Sequence, residues 1–293
     1  MTAEFASSKA WLDLDQAALD RAYDQAHWAP NMADVLQGYA AESRRVRARI
    51  EPLRVSYGPS AIEALDFYDC GRPAAPVHVF FHGGAWRSGK ASDYAFLAEV
   101  FLAAGVHLVL PDFDWAQDQG GDLRPIAEQA RRVVAWLHAN VGRLGGDPQR
   151  LSVSGHSSGA HLAGVLATTE WPQHALPADV IKGSLLCSGV YELEPVRRSS
   201  RRRYLSIDDE SVQALSPMRH LAHARGPIVA AWGTLESPEF ERQGREFADA
   251  AEAAGIATER LVIPHSNHFE VLASLAHREG VLARAALKLA LVG

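Results

Sequence analysis

Beyond residue 76 the chain alternates short apolar runs with longer amphipathic segments. The runs at 77–81, 106–110, 151–154, 181–187, 227–232 and 260–263 have the length and nearly unbroken apolar character of buried strands. Between them, 94–104, 123–140, 159–167, 239–254 and a last stretch from about Glu279 carry the spacing of helices with one apolar face. Strands linked by crossover helices predict an α/β fold: a mainly parallel central sheet with helices on both faces. Ahead of this body, 53–57 and 64–68 predict two short strands around Gly58-Pro59, and 12–50 predicts helices interrupted at Pro30. The charged segment 42–50 reads as a solvated helix face. With no repeat and no low-complexity linker, 1–52 is expected to be an N-terminal helical segment of the same domain, placed as a candidate cap, and 53–293 the α/β body.

Composition narrows the function classes. Of 293 residues, 47% are hydrophobic, enough for a sizeable core, and the formal net charge of −6 gives no reason to expect a nucleic-acid or anionic-membrane partner. The first ten residues lack a basic segment followed by an apolar stretch, and no uncharged run approaches a membrane span, so a cytoplasmic protein is expected. Two cysteines fit a reducing compartment, with Cys187, inside an apolar run, read as a buried thiol.

The strongest chemical signal is G-H-S-S-G at 155–159, placed between an apolar strand and an Ala/Leu-rich helix. Small residues two before and two after Ser157 let the chain turn sharply, exposing the hydroxyl at a helix N-terminus. A serine needs an imidazole base and a carboxylate behind it, and in such a fold both follow the last strands in chain order. Two histidines follow the last strand; His268, just before an apolar helix start, is favoured, with His265 in the turn as its rival. Glu236 falls just past the preceding strand, whereas Glu239 suits the first turn of the next helix. No Asp lies between Ile228 and Phe247, so the acid would be glutamate.

The segment H-G-G-A-W-R-S-G-K-A at 82–91 resembles a phosphate-binding loop, but Ala91 stands where that loop needs a hydroxyl for Mg²⁺. Acyl transfer instead requires amide donors on a loop after an early strand. The N–H groups of Gly83, Gly84 and Ala85, with that of Ser158, are therefore the expected oxyanion hole. His82, Trp86, His156 and Trp115 are candidate substrate-binding residues, the two tryptophans as flat walls. His156 and His161 lack zinc-site spacing, and no metal or organic cofactor is expected. The arginine-rich run at 196–204 reads first as a solvated loop and second as a reader of substrate carboxylate.

These motifs together resemble the kynurenine formamidase (arylformamidase) branch of the α/β-hydrolases, near the hormone-sensitive-lipase-like esterases. The likeness covers most of the chain: H-G-G-x-W at 82–86 with Tyr94-Ala-Phe96, G-H-S-x-G-A-H-L at 155–162, and S-G-V-Y-E-L-E-P at 188–195. It continues through E-S-P-E-F at 236–240 with Arg242 and Gln243, His268-Phe269, and 19–23 with Trp28. The resemblance implies an α/β-hydrolase fold and a Ser157–Glu236–His268 triad, which selects His268 over His265. It also implies a serine hydrolase that releases formate from an N-formylkynurenine-like aryl amide through an acyl-enzyme. Small-molecule amides or esters would be its partners, and a homo-oligomer is compatible with it. Two departures stand out: the family commonly has aspartate at Glu236, and many members carry an aromatic residue at Ala85. A carboxylesterase or amidase of different acyl specificity is the alternative, and a non-catalytic ligand-binding protein on the same scaffold is the alternative from another class.

Overall fold

The computed structural model describes residues 9–292. Among them, eight strands form one sheet in the order β1-β2-β4-β3-β5-β6-β7-β8. The strands are β1 (Leu53–Ser56), β2 (Ala64–Tyr68), β3 (Ala75–Phe81), β4 (His107–Pro111), β5 (Gly146–His156), β6 (Ile181–Cys187), β7 (Ile228–Gly233) and β8 (Thr258–Ile263). Pairing is antiparallel from β1 to β2 and from β2 to β4, and parallel elsewhere. The two short N-terminal strands thus add an antiparallel edge to a parallel body.

Side-chain alternation divides the core in two. Val77, Val79 and Phe81 of β3 point into one cluster with Val133, Leu137 and Leu162, while Phe80 points into the other with Phe101, Leu282 and Leu289. On the first face lie α5 (Arg124–Asn140), α6 (Ser158–Ala167) and α9 (Pro238–Ala253); on the second lie α4 (Ala98–Ala103) and α10 (Val281–Val292). The shorter α7 (Glu194–Arg198) and α8 (Asp209–Leu215) follow β6.

The N-terminal segment holds α1 (Gln16–Ala22), α2 (Gln25–Trp28) and α3 (Met32–Arg47), broken at Pro30 as expected. The segment is tied to the body at buried and half-buried points. Tyr23 Oη donates to Glu239 (3.0 Å), Asn31 Nδ2 to Glu270 (2.7 Å) and Tyr39 Oη to the carbonyl of Phe269 (2.8 Å). In the charged stretch 42–50, Arg45 and Arg49 make exposed ion pairs with Glu99, while Arg47 reaches the buried Asp66 at 2.6 Å.

One helix departs from the sequence reading. Where 94–104 was expected to be continuous, a 3-10 turn spans Ala91–Leu97 before α4 begins. Ser43 of α3 explains it: its hydroxyl donates to the carbonyl of Asp93 and accepts from the N–H of Phe96. These long-range bonds occupy backbone groups that a regular helix would use.

Chain order places the site. After β3 the chain goes to β4 on one side, and it returns with β5 on the other side of β3. At such a reversal the loops leaving the two strands diverge and leave a crevice at their C-terminal ends. Phe81 of β3 pairs with Gly155 of β5, so the loop beginning at His82 and the turn at Ser157 leave the sheet side by side.

Candidate active site

The turn at Ser157 is possible only because of its glycines. A Cβ on Gly155 would sit 2.2 Å from the Gly159 carbonyl oxygen, and one on Gly159 would sit 2.0 Å from that of Phe81. Ser157 takes φ 57° and ψ −121°, a conformation that costs a non-glycine residue roughly 1–3 kcal/mol. Its N–H is held by the carbonyl of Cys187 (2.9 Å), and α6 begins at the next residue.

His268 comes from the loop after β8. Ser157 Oγ–H donates to its Nε2 at 2.9 Å, and its Nδ1–H donates to Glu236 Oε2 at 2.7 Å. His265, the rival, is exposed and its backbone N–H bonds Thr234 on the outside of the loop. Glu236 sits at the end of β7, where the chain folds back so that Oε1 accepts from the N–H of Gly233 (2.8 Å) and from Ser188 Oγ (2.5 Å). This fold-back absorbs the extra methylene of glutamate. Glu239 is committed elsewhere, to Arg242 (2.6 Å) and Tyr23.

Sequence reasoning missed the groups that hold this line in place. Ser188 is one, at φ 54° after β6. Phe240 packs its ring edge-on to the His268 imidazole at 4.8 Å. The His268 loop is fixed by Asn267, which accepts from the N–H groups of Phe269 and Glu270 and donates to Asn31 of the N-terminal segment. Ser188 and Phe240 lie within motifs at 188–195 and 236–240, but their roles carry no local signature, because each of the three acts through a partner distant in the chain.

The loop after β3 runs close beside Ser157. A Cβ on Gly83 would lie 3.2 Å from Ser157 Cβ, and Gly84, Ala85 and Trp86 all take positive φ. Gly83, Gly84 and Ala85 line the same cavity of about 820 Å³ as Ser157 and His268. The Ser158 N–H lies at the first position of α6. Tyr94 lines the same cavity, and burial pushes the pKa of its hydroxyl up.

The four candidate substrate-binding residues divide. His156 lines the cavity, and its Nε2–H donates to the carbonyl of His268 (2.7 Å), so it also fixes the backbone of the candidate base. His82 does not line the cavity. Stacked against Phe113 (4.4 Å) and Tyr94 (5.6 Å), it bonds the carbonyl of Gly83 through Nδ1 (2.8 Å) and orients that peptide. The two tryptophans do not form the expected walls. Trp86 is buried, its positive φ turning the indole inward against His161 and Arg201. Trp115 is 38% exposed and does not line the cavity; its N–H donates to the carbonyl of Gly89, which does. The arginine run is likewise not a loop: α7 and a 3-10 turn, Ser200–Arg203, occupy it, and Arg201 is buried.

His161 bonds the carbonyl of Leu215 and His78 lies between Ser152 and Ser154, so neither pairs with His156 as a metal ligand. Among the described residues, Asp69, Cys70 and His107 are the one group close enough to share an ion. They lie where β4 begins, at the opposite end of the strands from Ser157.

Burial lowers the pKa of His78 and His156 to about 3 and of His161 to about 4, and it lowers that of His82 too. Each folded value lies below the unfolded one near 6.5, so stability is present above that pH and falls as the pH drops toward the folded values. Each histidine should remove up to about 1.4 kcal/mol per pH unit in that window. Urea unfolding at pH 7.5, 6 and 5 should show a falling midpoint; a constant midpoint would contradict neutral burial.

The family model described as BD-FAE matches residues 65–183. Kynurenine formamidase of Danio rerio is 29% identical over 95% of this chain and 98% of its own. Esterase LipC of Mycobacterium tuberculosis is 28% identical over 71% of this chain and 57% of its own length. Among solved structures, esterase LipW of Mycobacterium marinum superposes with a TM-score of 0.71 at 20% identity, covering 98% of this chain and 97% of that one. Among the described residues no helix is long and apolar enough to cross a membrane.

Proposed function

We propose that this chain, a hydrolase of the α/β-hydrolase type similar to kynurenine formamidases and esterases, cleaves a small acyl group from an aryl amide through a covalent acyl-enzyme. The carrying observation is the continuous line from Ser157 Oγ through His268 to Glu236, opening on a cavity lined by the Gly83–Gly84–Ala85 backbone. His268 accepts the serine proton as Oγ attacks the carbonyl carbon, and Glu236 holds the imidazole in the tautomer that leaves Nε2 free to accept. Amides of the 83–85 loop and of Ser158 receive the oxyanion, each donor contributing roughly 3 kcal/mol to the transition state. The imidazolium then protonates the departing amine. Water, activated by the same imidazole, releases the acid and restores Ser157.

An N-formyl arylamine suits this machinery because its acyl group is one carbon and its amine is less basic than an alkylamine. N-formylkynurenine, giving formate and the free arylamine, is the favoured substrate, in a cytoplasmic setting. A second reading, an esterase of larger acyl groups, is favoured by the side chain at Ala85, which leaves room where many relatives of this type carry a ring. A panel of N-formylkynurenine, formanilide, aryl acetates and aryl butyrates distinguishes the two. The formamidase reading expects kcat/KM for N-formylkynurenine to exceed that for phenyl acetate at least roughly tenfold, about 1.4 kcal/mol of transition-state preference. A preference for butyrates over formamides would overturn it.

A further inference from the structure

We propose that Arg201 is the specificity residue of this site, binding a carboxylate carried on the leaving-group side of the substrate. The proposal rests on the reading of Ser157 as the nucleophile.

Arg201 is the one buried arginine of the run; Arg203, which also lines the cavity, is exposed to solvent. Arg197 and Arg198 pair with Glu194 (2.6 and 2.5 Å), and Arg202 pairs with Asp20 (3.2 Å). Arg201 is 5% exposed, yet it pairs with no carboxylate among the described residues. Its Nη2 makes one long bond, 3.4 Å, to the carbonyl of Tyr23. Its Cζ stands 5.5 Å from the ring of Trp86 and 5.7 Å from those of Tyr23 and Phe240. Aromatic faces attract a guanidinium without occupying its in-plane N–H donors, so the fork stays available for two parallel bonds to a planar anion.

Location gives that fork a use. Arg201 lines the cavity that contains Ser157 and His268. The Phe240 ring that it faces also packs edge-on to His268, so a single phenyl ring separates guanidinium from imidazole. A formyl group is too small to reach past that ring. The anion must therefore sit on the amine half of the substrate, with the aryl group spanning the interval. Acids lining the cavity are already engaged: Asp20 with Arg202, Asp93 with Lys90 (3.8 Å), and Asp24 as the cap of α2. A buried cation without a counter-ion is costly, and an arriving carboxylate would relieve that cost.

The test compares N-formylkynurenine with its carboxamide, identical except for the charge. The wild-type protein should prefer the carboxylate in kcat/KM by at least roughly 30-fold, the lower range for a desolvated charge pair. Arg201→Met should bring that ratio to near one, and Arg201→Lys, which keeps the charge but loses the fork, should lower it several-fold. An indifferent wild-type protein, or a ratio unchanged in both variants, overturns the proposal. Calorimetry with the carboxylate product on Ser157→Ala and on Ser157→Ala/Arg201→Lys separates anchoring from turnover. Weaker binding by the double variant supports the anchor even if no formamide is cleaved, and equal binding refutes it. Absence of all hydrolysis by the wild-type protein would instead count against the acyl-transfer reading.

Discussion

Ser157→Ala should lower kcat by roughly 10⁶-fold on any substrate that the wild-type protein turns over, with the fold retained. On the proposed acyl-enzyme route the magnitude follows from the loss of covalent catalysis: without Oγ, the His268 imidazole has no nucleophile at 2.9 Å and only the proposed positioning and oxyanion donors remain. Those residual elements still accelerate the reaction above the rate in water, so the expected outcome is a small measurable rate rather than none. The fold should survive because Ser157 is held through its backbone N–H on Cys187 and by the glycines on either side, none of which needs the hydroxyl. Steady-state assays beside thermal melts check both halves. Activity within tenfold of wild type would remove Ser157 from the mechanism.

Glu236→Gln should lower kcat by about 10⁴-fold, the scale seen when the carboxylate of such a triad is replaced by its amide. Glu236 accepts three hydrogen bonds, from His268 Nδ1–H, Ser188 Oγ–H and the N–H of Gly233. An amide offers one oxygen in place of two. If that oxygen stays on Gly233 and Ser188, the NH₂ group faces Nδ1 and favours the tautomer whose Nε2 carries a proton and cannot accept one from Ser157. Glu239→Gln is the control. It loosens the buried pair with Arg242, which costs stability on the order of 3–5 kcal/mol, without touching the imidazole. Its kcat should fall far less than that of Glu236→Gln once both are assayed below their melting temperatures. The reverse order would exchange the two glutamates.

The architecture was legible because strand burial and helix amphipathicity are local properties. The turn at Ser157 was legible for the same reason, its glycines and serine lying within five consecutive residues. The preference for His268 over His265 was less local; two histidines three residues apart share one composition, the motif resemblance favoured His268, and the loop after β8 turns His268 toward Ser157 while His265 stays exposed. Trp86 went astray because sequence does not reveal where a residue at positive φ points its side chain, and Trp115, at an ordinary extended φ, because its indole N–H is drawn to a carbonyl 26 residues away. Arg201 was hidden among like residues: five arginines between 197 and 203 look equivalent until the 3-10 turn selects one for burial. The 3-10 turn at Ala91–Leu97 was invisible because its cause, Ser43, lies about fifty residues earlier.

The bonds from Asn31 and Tyr39 to the His268 loop join segments more than two hundred residues apart. During synthesis, the earlier segment has to wait for more than two hundred further residues before it meets its counterpart. Closing so large a loop is entropically costly and gains little until the sheet between the two ends exists. The candidate base is therefore steadied late, and a nascent or partly folded chain would carry the candidate nucleophile Ser157 well before the His268 loop is fixed beside it.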